Sequence, residues 1–217
     1  MCSCYAPEIL RVFREMSNTT ISDALDKLKM KGAVTGILPV FHGARIVGPA
    51  FTIKQVARIA DISEFRVTEA LDQAKPGDVM TFDVGSYTEA STWGGLASLS
   101  AKMKGIEGVV VDGAVRDVDE IREMRFPVFA RAVTPITGKG RIATISIDTL
   151  IEIDGVEIRP NDLVVGDDNG IVIIPHGRVE EVSKIAMEIM ANEEKARKRI
   201  GEGRSAAEAE KELKIRI

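Results

Sequence analysis

Hydrophobic residues in the first part of the chain recur every three or four positions, which is the spacing of one face of an amphipathic helix. This pattern predicts an N-terminal helix over residues 1–15. A second helix is predicted within residues 17–32, with Thr19 or Thr20 as its N-cap and Gly32 at its end. The apolar residues that would form the two buried faces are Ile9, Val12, Phe13, Met16, Ile21, Ala24, Leu25 and Leu28.

Strand-like and helix-like segments alternate through the middle of the chain. Segments rich in Val, Ile and Thr predict strands, and segments with helical apolar spacing predict the helices between them. The predicted strands cover residues 44–57, 78–85, 108–113 and 126–133, and the predicted helices cover residues 62–75, 91–105 and 115–124. Because helices connect successive strands, we expect a mostly parallel sheet with right-handed crossovers. Gly48 and Pro49 are expected to form a bulge in the first of these strands.

The pattern changes after Pro135. Short apolar runs separated by Gly, Asp, Asn and Pro predict antiparallel hairpins, which would form a β-rich layer against the first sheet. From about Arg178 onward the sequence predicts one long charged helix, so residues 178–217 are expected to form a C-terminal helical extension. No repeat, linker or low-complexity tract divides the chain. We therefore expect an α/β fold in which residues 1–217 form a single domain.

The composition narrows the class of protein. Hydrophobic residues make up 45% and charged residues 29% of the chain, which suits a globular protein with a buried core. The net charge of −4 gives no reason to expect nucleic acid as a partner. No run of about 18 uncharged apolar residues predicts a membrane span, and no signal peptide is recognisable at the N-terminus. Cys2 and Cys4 are too few and too close to the terminus to stabilise the fold through disulfides. Disulfides are rare in the reducing cytoplasm, so we expect a cytoplasmic protein.

A glycine-rich turn is the first candidate for chemistry. Gly94, Gly95, Leu96 and Ala97 lie where a helix is expected to begin after a strand. Free backbone N–H groups at a helix N-terminus favour a carboxylate or phosphate, and glycines allow the ligand to come close to the backbone. The alternative is that the two glycines only permit tight packing of the helix against the sheet.

The second candidate is the pair Arg116 and Asp117, which also follows a predicted strand. Arg116 carries a planar, permanently charged group that suits a carboxylate, and Asp117 supplies the hard oxygen ligands that Mg²⁺ or Mn²⁺ prefers. The alternative is an ordinary capped helix start. Twenty residues separate Gly95 from Arg116, and two separate Asp117 from Glu120. Ligands of open α/β sheets bind at the carboxyl ends of strands, so we expect the turn and the pair to meet there.

This arrangement resembles the class II 4-hydroxy-4-methyl-2-oxoglutarate aldolases and the related regulators of ribonuclease activity A. The resemblance covers roughly residues 16–203, and its segments follow the family order. The segments that carry it are TISDALD, GPAFTIK, AKPGDV, WGGLASLSAKMKGIEGVVVDGAVRDVDEI, FPVFARAVTP and RPNDLVVGDDNGIVIIP.

The resemblance implies a swivelling α/β/β/α sandwich that assembles into trimers or hexamers. It implies that the turn Gly94-Gly95-Leu96-Ala97 holds the carboxylate of pyruvate through its backbone amides, that Arg116 binds substrate, and that Asp117 ligates the metal. A catalytic glutamate on the C-terminal helix reaches a neighbouring subunit's site in this family. Glu193 and Glu194 both fit that description, and we take Glu194 as the candidate for this catalytic glutamate.

The resulting expectation is a metal-dependent lyase that cleaves short 2-oxo acids and releases pyruvate, using Mg²⁺ or Mn²⁺. Retro-aldol cleavage and decarboxylation of oxaloacetate give the same enolate, so one site would serve both reactions. Aldolase-active members often carry an acidic residue where this chain has Gly95, and its absence places the proton-transfer step in question. The alternative is a regulator of ribonuclease activity that acts by binding another protein. His42 and His176 have no partnered nucleophile motif and are expected to be loop or turn residues.

Overall fold

The computed structural model describes residues 4–59 and 61–213. Residues 1–3, which include Cys2, and residues 214–217 of the predicted extension lie outside the described residues. The helices are α1 (Pro7–Glu15), α2 (Asn18–Lys27), α3 (Val67–Gln73), α4 (Gly95–Lys104), α5 (Val118–Met124), α6 (Val179–Gly201) and α7 (Ala206–Leu213). The strands are β1 (Ala33–Val34), β2 (Leu38–Pro39), β3 (Ile46–Ala57), β4 (Val79–Trp93), β5 (Gly108–Val115), β6 (Val128–Val133), β7 (Ile142–Ile147), β8 (Ile151–Ile153), β9 (Val156–Ile158), β10 (Leu163–Asp167) and β11 (Gly170–Ile174).

Four neighbouring parallel strands, β3, β4, β5 and β6, form the centre of the main sheet. Helices α3, α4 and α5 connect them, which confirms the parallel sheet predicted from the alternating pattern. The later strands pair antiparallel: β10 joins β11 and β3, β8 joins β9, and β7 joins β3. The predicted hairpins are therefore present, as β8–β9 and β10–β11.

Strand β3 belongs to both parts of the sheet. Its first residues pair with β10, and its later residues pair with β4. The bulge expected at Gly48 and Pro49 is not there, because these residues stay in regular register with Val164 and Leu163. The register shifts between Lys54 and Gln55 instead. Gly48 is needed for another reason, since a Cβ at this position would overlap the backbone oxygen of Gly77.

Three apolar clusters separate four layers. One cluster packs α3, α4 and α5 on the parallel strands, a second packs α1, α2 and α6 on β10 and β11, and the third lies between the two sheet portions. Representative members are Phe82, Val111 and Ile121 in the first cluster, Phe13, Leu25 and Val182 in the second, and Ile46, Phe129 and Ile173 in the third. The order of the layers is helices, sheet, sheet, helices, as expected for an α/β/β/α sandwich.

A row of charged residues crosses the parallel strands near their carboxyl ends. Lys54, Asp83, Asp112 and Arg131 lie on β3, β4, β5 and β6, and Asp83 is in register with both Lys54 and Asp112. Lys54 contacts Asp83 at 2.6 Å, and Arg131 pairs with Asp112. Both carboxylates are buried, so each depends on its cation to offset the cost of desolvation. One ion pair therefore joins β3 to β4, and the other joins β5 to β6.

Two predicted boundaries of helices were wrong. The N-cap of α2 is Ser17, whose side chain accepts the N–H of Thr20, and not Thr19 or Thr20. The helix ends at Lys27, well before Gly32, because Lys29 adopts a left-handed conformation at φ 55° and terminates the helical turn.

Residues 91–93, predicted as the start of a helix, instead extend strand β4 to Trp93. The Ser91 side chain donates to the carbonyl of Ile136 at 2.8 Å, and Thr92 is buried with its hydroxyl donating to Gln55. These contacts fix the segment in the sheet, so the helix begins only at Gly95.

The predicted C-terminal helix is long, but it is not continuous. Helix α6 runs over 23 residues and ends at Gly201, and α7 follows after a short turn. The turn contains Gly203 at φ 93°, and the ion pair of Arg199 with Glu212 at 2.7 Å joins the two helices. Across residues 4–59 and 61–213, no helix combines the length and the apolar character needed to cross a membrane.

Helix α1 is attached to the sheet by a partly buried carboxylate. Glu107 contacts Arg14 at 2.7 Å and accepts the backbone N–H of Val47 at 3.2 Å. Burial raises the pKa of Glu107 above its usual value of 4.5, even though Arg14 opposes the shift. The folded protein therefore binds this proton more tightly than the unfolded chain does, and the contribution of Glu107 to stability falls as the pH rises through the raised pKa.

We expect Glu107→Gln to flatten the pH dependence of stability above pH 4.5, because an amide has no proton to lose and still accepts from Val47. Urea unfolding at a series of pH values measures the free energy of unfolding of both proteins. The wild type should lose stability relative to the variant as the pH rises from 4.5. Parallel pH profiles for the two proteins would contradict this assignment.

Candidate active site

The two candidate loops leave neighbouring strands of the parallel sheet. Trp93, the last residue of β4, is in register with Val115, the last residue of β5. The N–H of Arg116 donates to the carbonyl of Trp93 at 3.0 Å and holds the two strand ends together. Gly94 and Arg116 therefore start their loops side by side. The structure brings the glycine turn and the Arg116–Asp117 pair together at the edge where ligands of such sheets bind.

Asp117 links the two loops directly. Its Oδ2 accepts the backbone N–H of Gly95 at 3.1 Å, so the carboxylate faces the N-terminus of α4. Asp117 occupies the N-cap position of its own helix α5, but its side chain makes no capping hydrogen bond there. Its backbone is left-handed at φ 56°, an uncommon conformation for a residue other than glycine. Backbone strain of this kind clusters at functional sites.

Arg116 lies beside this carboxylate without being buried against it. Its Nε is 3.5 Å from Asp117 Oδ2, and the side chains of Arg116 and Asp117 are 40% and 36% exposed. Both groups therefore keep free hydrogen-bonding positions for a ligand. The alternative in which Asp117 is an ordinary helix cap does not describe the structure, because the carboxylate contacts α4 and leaves α5 uncapped.

Acidic side chains approach both glycines closely. Gly94 has an ordinary extended backbone, but a Cβ on it would lie 2.6 Å from Asp117 Oδ2. A Cβ on Gly95 would overlap the Oε2 atom of Glu120. The turn therefore does more than allow packing of a helix against a strand, since it makes room for two carboxylates beside the first amides of α4.

Glu120 is a residue to which the sequence analysis assigned no role. It lies three residues after Asp117, in the first turn of α5, and this spacing places the two side chains on one side of the helix start. Its carboxylate occupies the space that a side chain at position 95 would fill. The spacing was visible in the sequence, but the contact with Gly95 depends on how α4 and α5 pack.

The donor set suits a hard divalent cation that keeps water in its coordination shell. Asp117 and Glu120 offer carboxylate oxygens beside the same glycine. Among the residues that the structure describes, no group of three or more His, Cys, Asp or Glu side chains is arranged to hold a metal ion. Mg²⁺ is typically bound through one or two carboxylates, with water and substrate oxygens completing its shell, so the residues present fit Mg²⁺ or the similar Mn²⁺.

A cavity of about 370 Å³ opens from this pair of residues. Arg116, Asp117 and Gly94 line one end of it. The remainder extends between α3 and α4. First-turn amides of α4, those of Leu96 and Ala97, lie at the mouth, and Gly94 has no side chain with which to cap them. The polar end of the cavity thus combines a guanidinium, a carboxylate and backbone donors.

The C-terminal glutamates lie elsewhere in the chain. Glu193 and Glu194 are on α6, which packs in the helical layer on the other side of the molecule from α4 and α5. They contact Arg197 at 3.3 Å and 3.9 Å. Within one chain they do not line the cavity, so the role of Glu194 in a neighbouring subunit's site, and the trimeric or hexameric assembly it needs, stay predictions.

The histidines are also remote from the pair. His42 is an exposed turn residue whose Nδ1 lies 2.9 Å from Asp168. His176 begins a short 3₁₀ turn, and its ring is tilted against that of Tyr5. Both are turn residues, as predicted.

The chain is similar in sequence to known proteins. The family pattern described as "RraA-like: Aldolase/RraA" matches residues 18–173. The chain is 34% identical over 202 residues to the "Putative 4-hydroxy-4-methyl-2-oxoglutarate aldolase" of Halalkalibacterium halodurans, covering 93% of each protein. It is 32% identical to protein DlpA of Legionella pneumophila over 94% of its own length, but it spans only 33% of that longer protein.

Solved structures extend the comparison to the fold. The crystal structure of Streptomyces coelicolor RraAS2, described as an unusual member of the RNase ES inhibitor RraA protein family, matches with a TM-score of 0.81 at 26% identity. The match covers 89% of this chain and 97% of that one. Sequence and structure lead to the same conclusion: the chain belongs to the Aldolase/RraA family.

Proposed function

We propose that the protein is a divalent-metal-dependent carbon–carbon lyase that acts on short 2-oxo acids and releases pyruvate. The observation that carries the proposal is the position of Asp117. Its carboxylate leaves its own helix uncapped and turns to the first amide of α4, next to a half-exposed Arg116. This places negative and positive groups around one small space at the carboxyl edge of a parallel sheet. The likeness to a protein named as an aldolase supports the proposal.

Binding of the 2-oxo acid follows from the donors at the mouth of the cavity. The substrate carboxylate accepts from the first-turn amides of Leu96 and Ala97, where the partial positive charge of the helix N-terminus favours an anion. The guanidinium of Arg116 donates to the 2-oxo oxygen or to the same carboxylate. These contacts fix the plane of the 2-oxo acid before the bond beyond its third carbon breaks.

Charge develops on the 2-oxo oxygen when that bond breaks. Arg116 faces this oxygen and stabilises the enolate more than the ground-state ketone, which is the requirement for lowering the barrier. Asp117 and Glu120 would hold a divalent cation, which would supply further positive charge where the enolate forms. Glu120, whose carboxylate lies beside Gly95, would hold a water that takes the proton of the 4-hydroxyl group in the retro-aldol reaction and returns a proton to the third carbon of the enolate.

The direct test measures pyruvate release from oxaloacetate and from 4-hydroxy-2-oxo acids with added Mg²⁺ or Mn²⁺. We expect turnover of at least one substrate class, its loss on addition of EDTA, and its recovery when the metal is restored. Retro-aldol cleavage and decarboxylation should respond in parallel, because both pass through the same enolate. Turnover that persists in EDTA, or none with any of these substrates, would contradict the proposal.

A second candidate function is regulation of another protein by direct binding. It is favoured by the likeness to RraAS2 and by an apolar stripe on α4, where Leu96, Leu99 and Met103 are 83%, 47% and 80% exposed. Leu99→Ser and Met103→Ser would remove two of the three side chains of this stripe without changing Arg116 or Asp117. The regulator function requires these changes to abolish capture of a ribonuclease from lysate, whereas the lyase function does not.

A further inference from the structure

The cavity beside Arg116 and Asp117 is larger than a three-carbon acid requires, and beyond these two residues its lining combines apolar side chains with the uncharged hydroxyl residues Ser91, Thr92 and Thr137. From Gly94 it continues between α3 and α4. The apolar side chains that line it are Phe65, Val67, Leu71, Trp93, Leu96 and Ala97. We call this part the α3–α4 groove. Thr68 and Ser100 line its rim, one on each helix, and both are exposed.

The groove and the polar end form one continuous space, because Gly94, Arg116 and Asp117 line the same cavity. A ligand whose carboxylate is held at the N-terminus of α4 therefore has its other end directed either to solvent or into the groove. Leu96 is 83% exposed at the entrance, so a large apolar surface there is left uncovered by residues 4–59 and 61–213. Covering it with an apolar ligand would be favourable.

We propose, on the basis of the function proposed above, that the preferred substrate is a 2-oxo acid with an extended apolar end, which lies in the α3–α4 groove. The groove walls offer no charge to a ligand's far end except at the rim, where Lys139 lines the cavity. A terminal carboxylate inside the groove would lose its hydration among apolar side chains. The groove therefore selects against diacids of the same length unless Lys139 captures them.

Trp93 gives a direct signal of occupancy. It is the only tryptophan of the chain, it is buried, and it is among the residues that line the cavity. Its fluorescence in buffer with Mg²⁺ can be titrated with pyruvate, 2-oxooctanoate and 2-oxooctanedioate. Each buried methylene tightens binding by roughly fourfold, so 2-oxooctanoate should bind at least about tenfold more tightly than pyruvate. The diacid should bind less tightly than the monoacid of the same length.

Two variants narrow the groove from opposite sides. Thr68→Phe on α3 and Ser100→Phe on α4 should each reduce the preference for 2-oxooctanoate to within about twofold of pyruvate, because the added ring occupies the space of the alkyl chain. Gln73→Phe adds the same ring to the exposed end of α3, outside the cavity lining, and should leave the preference unchanged. Light scattering confirms that the compared proteins have the same assembly.

The outcomes separate this inference from the proposed function. Preference for 2-oxooctanoate that is lost in both groove variants supports the inference, even if no substrate is turned over. Turnover of oxaloacetate without any preference for the longer acid supports the lyase function and overturns the inference. Tighter binding of the diacid also overturns it, since Lys139 would then hold a charged end. A preference that survives in both Thr68→Phe and Ser100→Phe rejects the groove as the binding place.

Discussion

Asp117→Asn should lower kcat/KM for oxaloacetate decarboxylation by about 10²- to 10³-fold, the usual cost of removing one group that stabilises developing charge in an active site. The amide keeps the size of the side chain and an oxygen that can accept from Gly95. It removes the charge, and with it the strongest oxygen ligand for a divalent cation beside Arg116. We therefore expect a loss of metal affinity as well as of rate, measured as the Mg²⁺ concentration that gives half-maximal turnover.

The matched control is Asp119→Asn. This acid lies two residues further on, its side chain is 96% exposed, and it pairs with Arg122 at 3.1 Å. An exposed pair of this kind contributes little to stability, so the variant should retain the activity and metal dependence of the wild type. Equal losses in both variants would indicate a general effect of charge. No loss in Asp117→Asn would remove the central element of the proposed function.

Regular elements could be predicted from the sequence because their signals are local. The alternation of strands and helices between residues 44 and 133 identified β3, β4, β5 and β6 in the order in which the structure has them. The apolar run at β5 is typical of a strand covered on both faces, and all of its residues are buried. The placement of the glycine turn beside Arg116 also followed, since adjacent parallel strands end at the same edge.

Features that depend on distant contacts could not be predicted in the same way. Trp93 ends a strand and does not begin a helix, because hydrogen bonds from Ser91 and Thr92 to residues far along the chain hold the segment in the sheet. The break between α6 and α7 depends on the left-handed backbone of Gly203. The charged sequence around Gly203 did not indicate that the helix would end there. In each case tertiary contacts overrode the local pattern.

Position 95 shows that the chemistry of the site, too, depends on contacts that the local sequence does not reveal. Taken alone, Gly95 suggests that a carboxylate is missing from the proton-transfer machinery. In the fold, Glu120 brings its carboxylate to the place where the side chain of residue 95 would be. Glu120 therefore supplies from α5 a second carboxylate beside the start of α4, next to that of Asp117. Gly95 and Glu120 are therefore coupled, because Gly95 leaves free the space that the Glu120 carboxylate occupies.

This coupling predicts that Gly95→Asp will inactivate the protein instead of improving it. The new Cβ would overlap Glu120 Oε2, and two carboxylates would compete for one space. Glu120→Ala should also lose activity, by about 10²-fold, because it removes the group that handles the proton. The double variant Gly95→Asp with Glu120→Ala should recover to within about tenfold of the wild type, a non-additive result expected for residues in contact.

Gly95→Ala distinguishes two explanations for recovery of activity in the double variant. One is relief of the overlap with Glu120, and the other is replacement of the lost Glu120 carboxylate by the one introduced at position 95. Alone, Gly95→Ala adds only the overlapping Cβ, which the exposed Glu120 side chain can avoid by moving, so it should lose less activity than Gly95→Asp. Combined with Glu120→Ala, it removes the overlap but restores no acid, and this double variant should remain as slow as Glu120→Ala. Steady-state kinetics on oxaloacetate measure all five variants against the wild type. Recovery in both double variants would mean that crowding alone explains Gly95, and that Glu120 handles no proton.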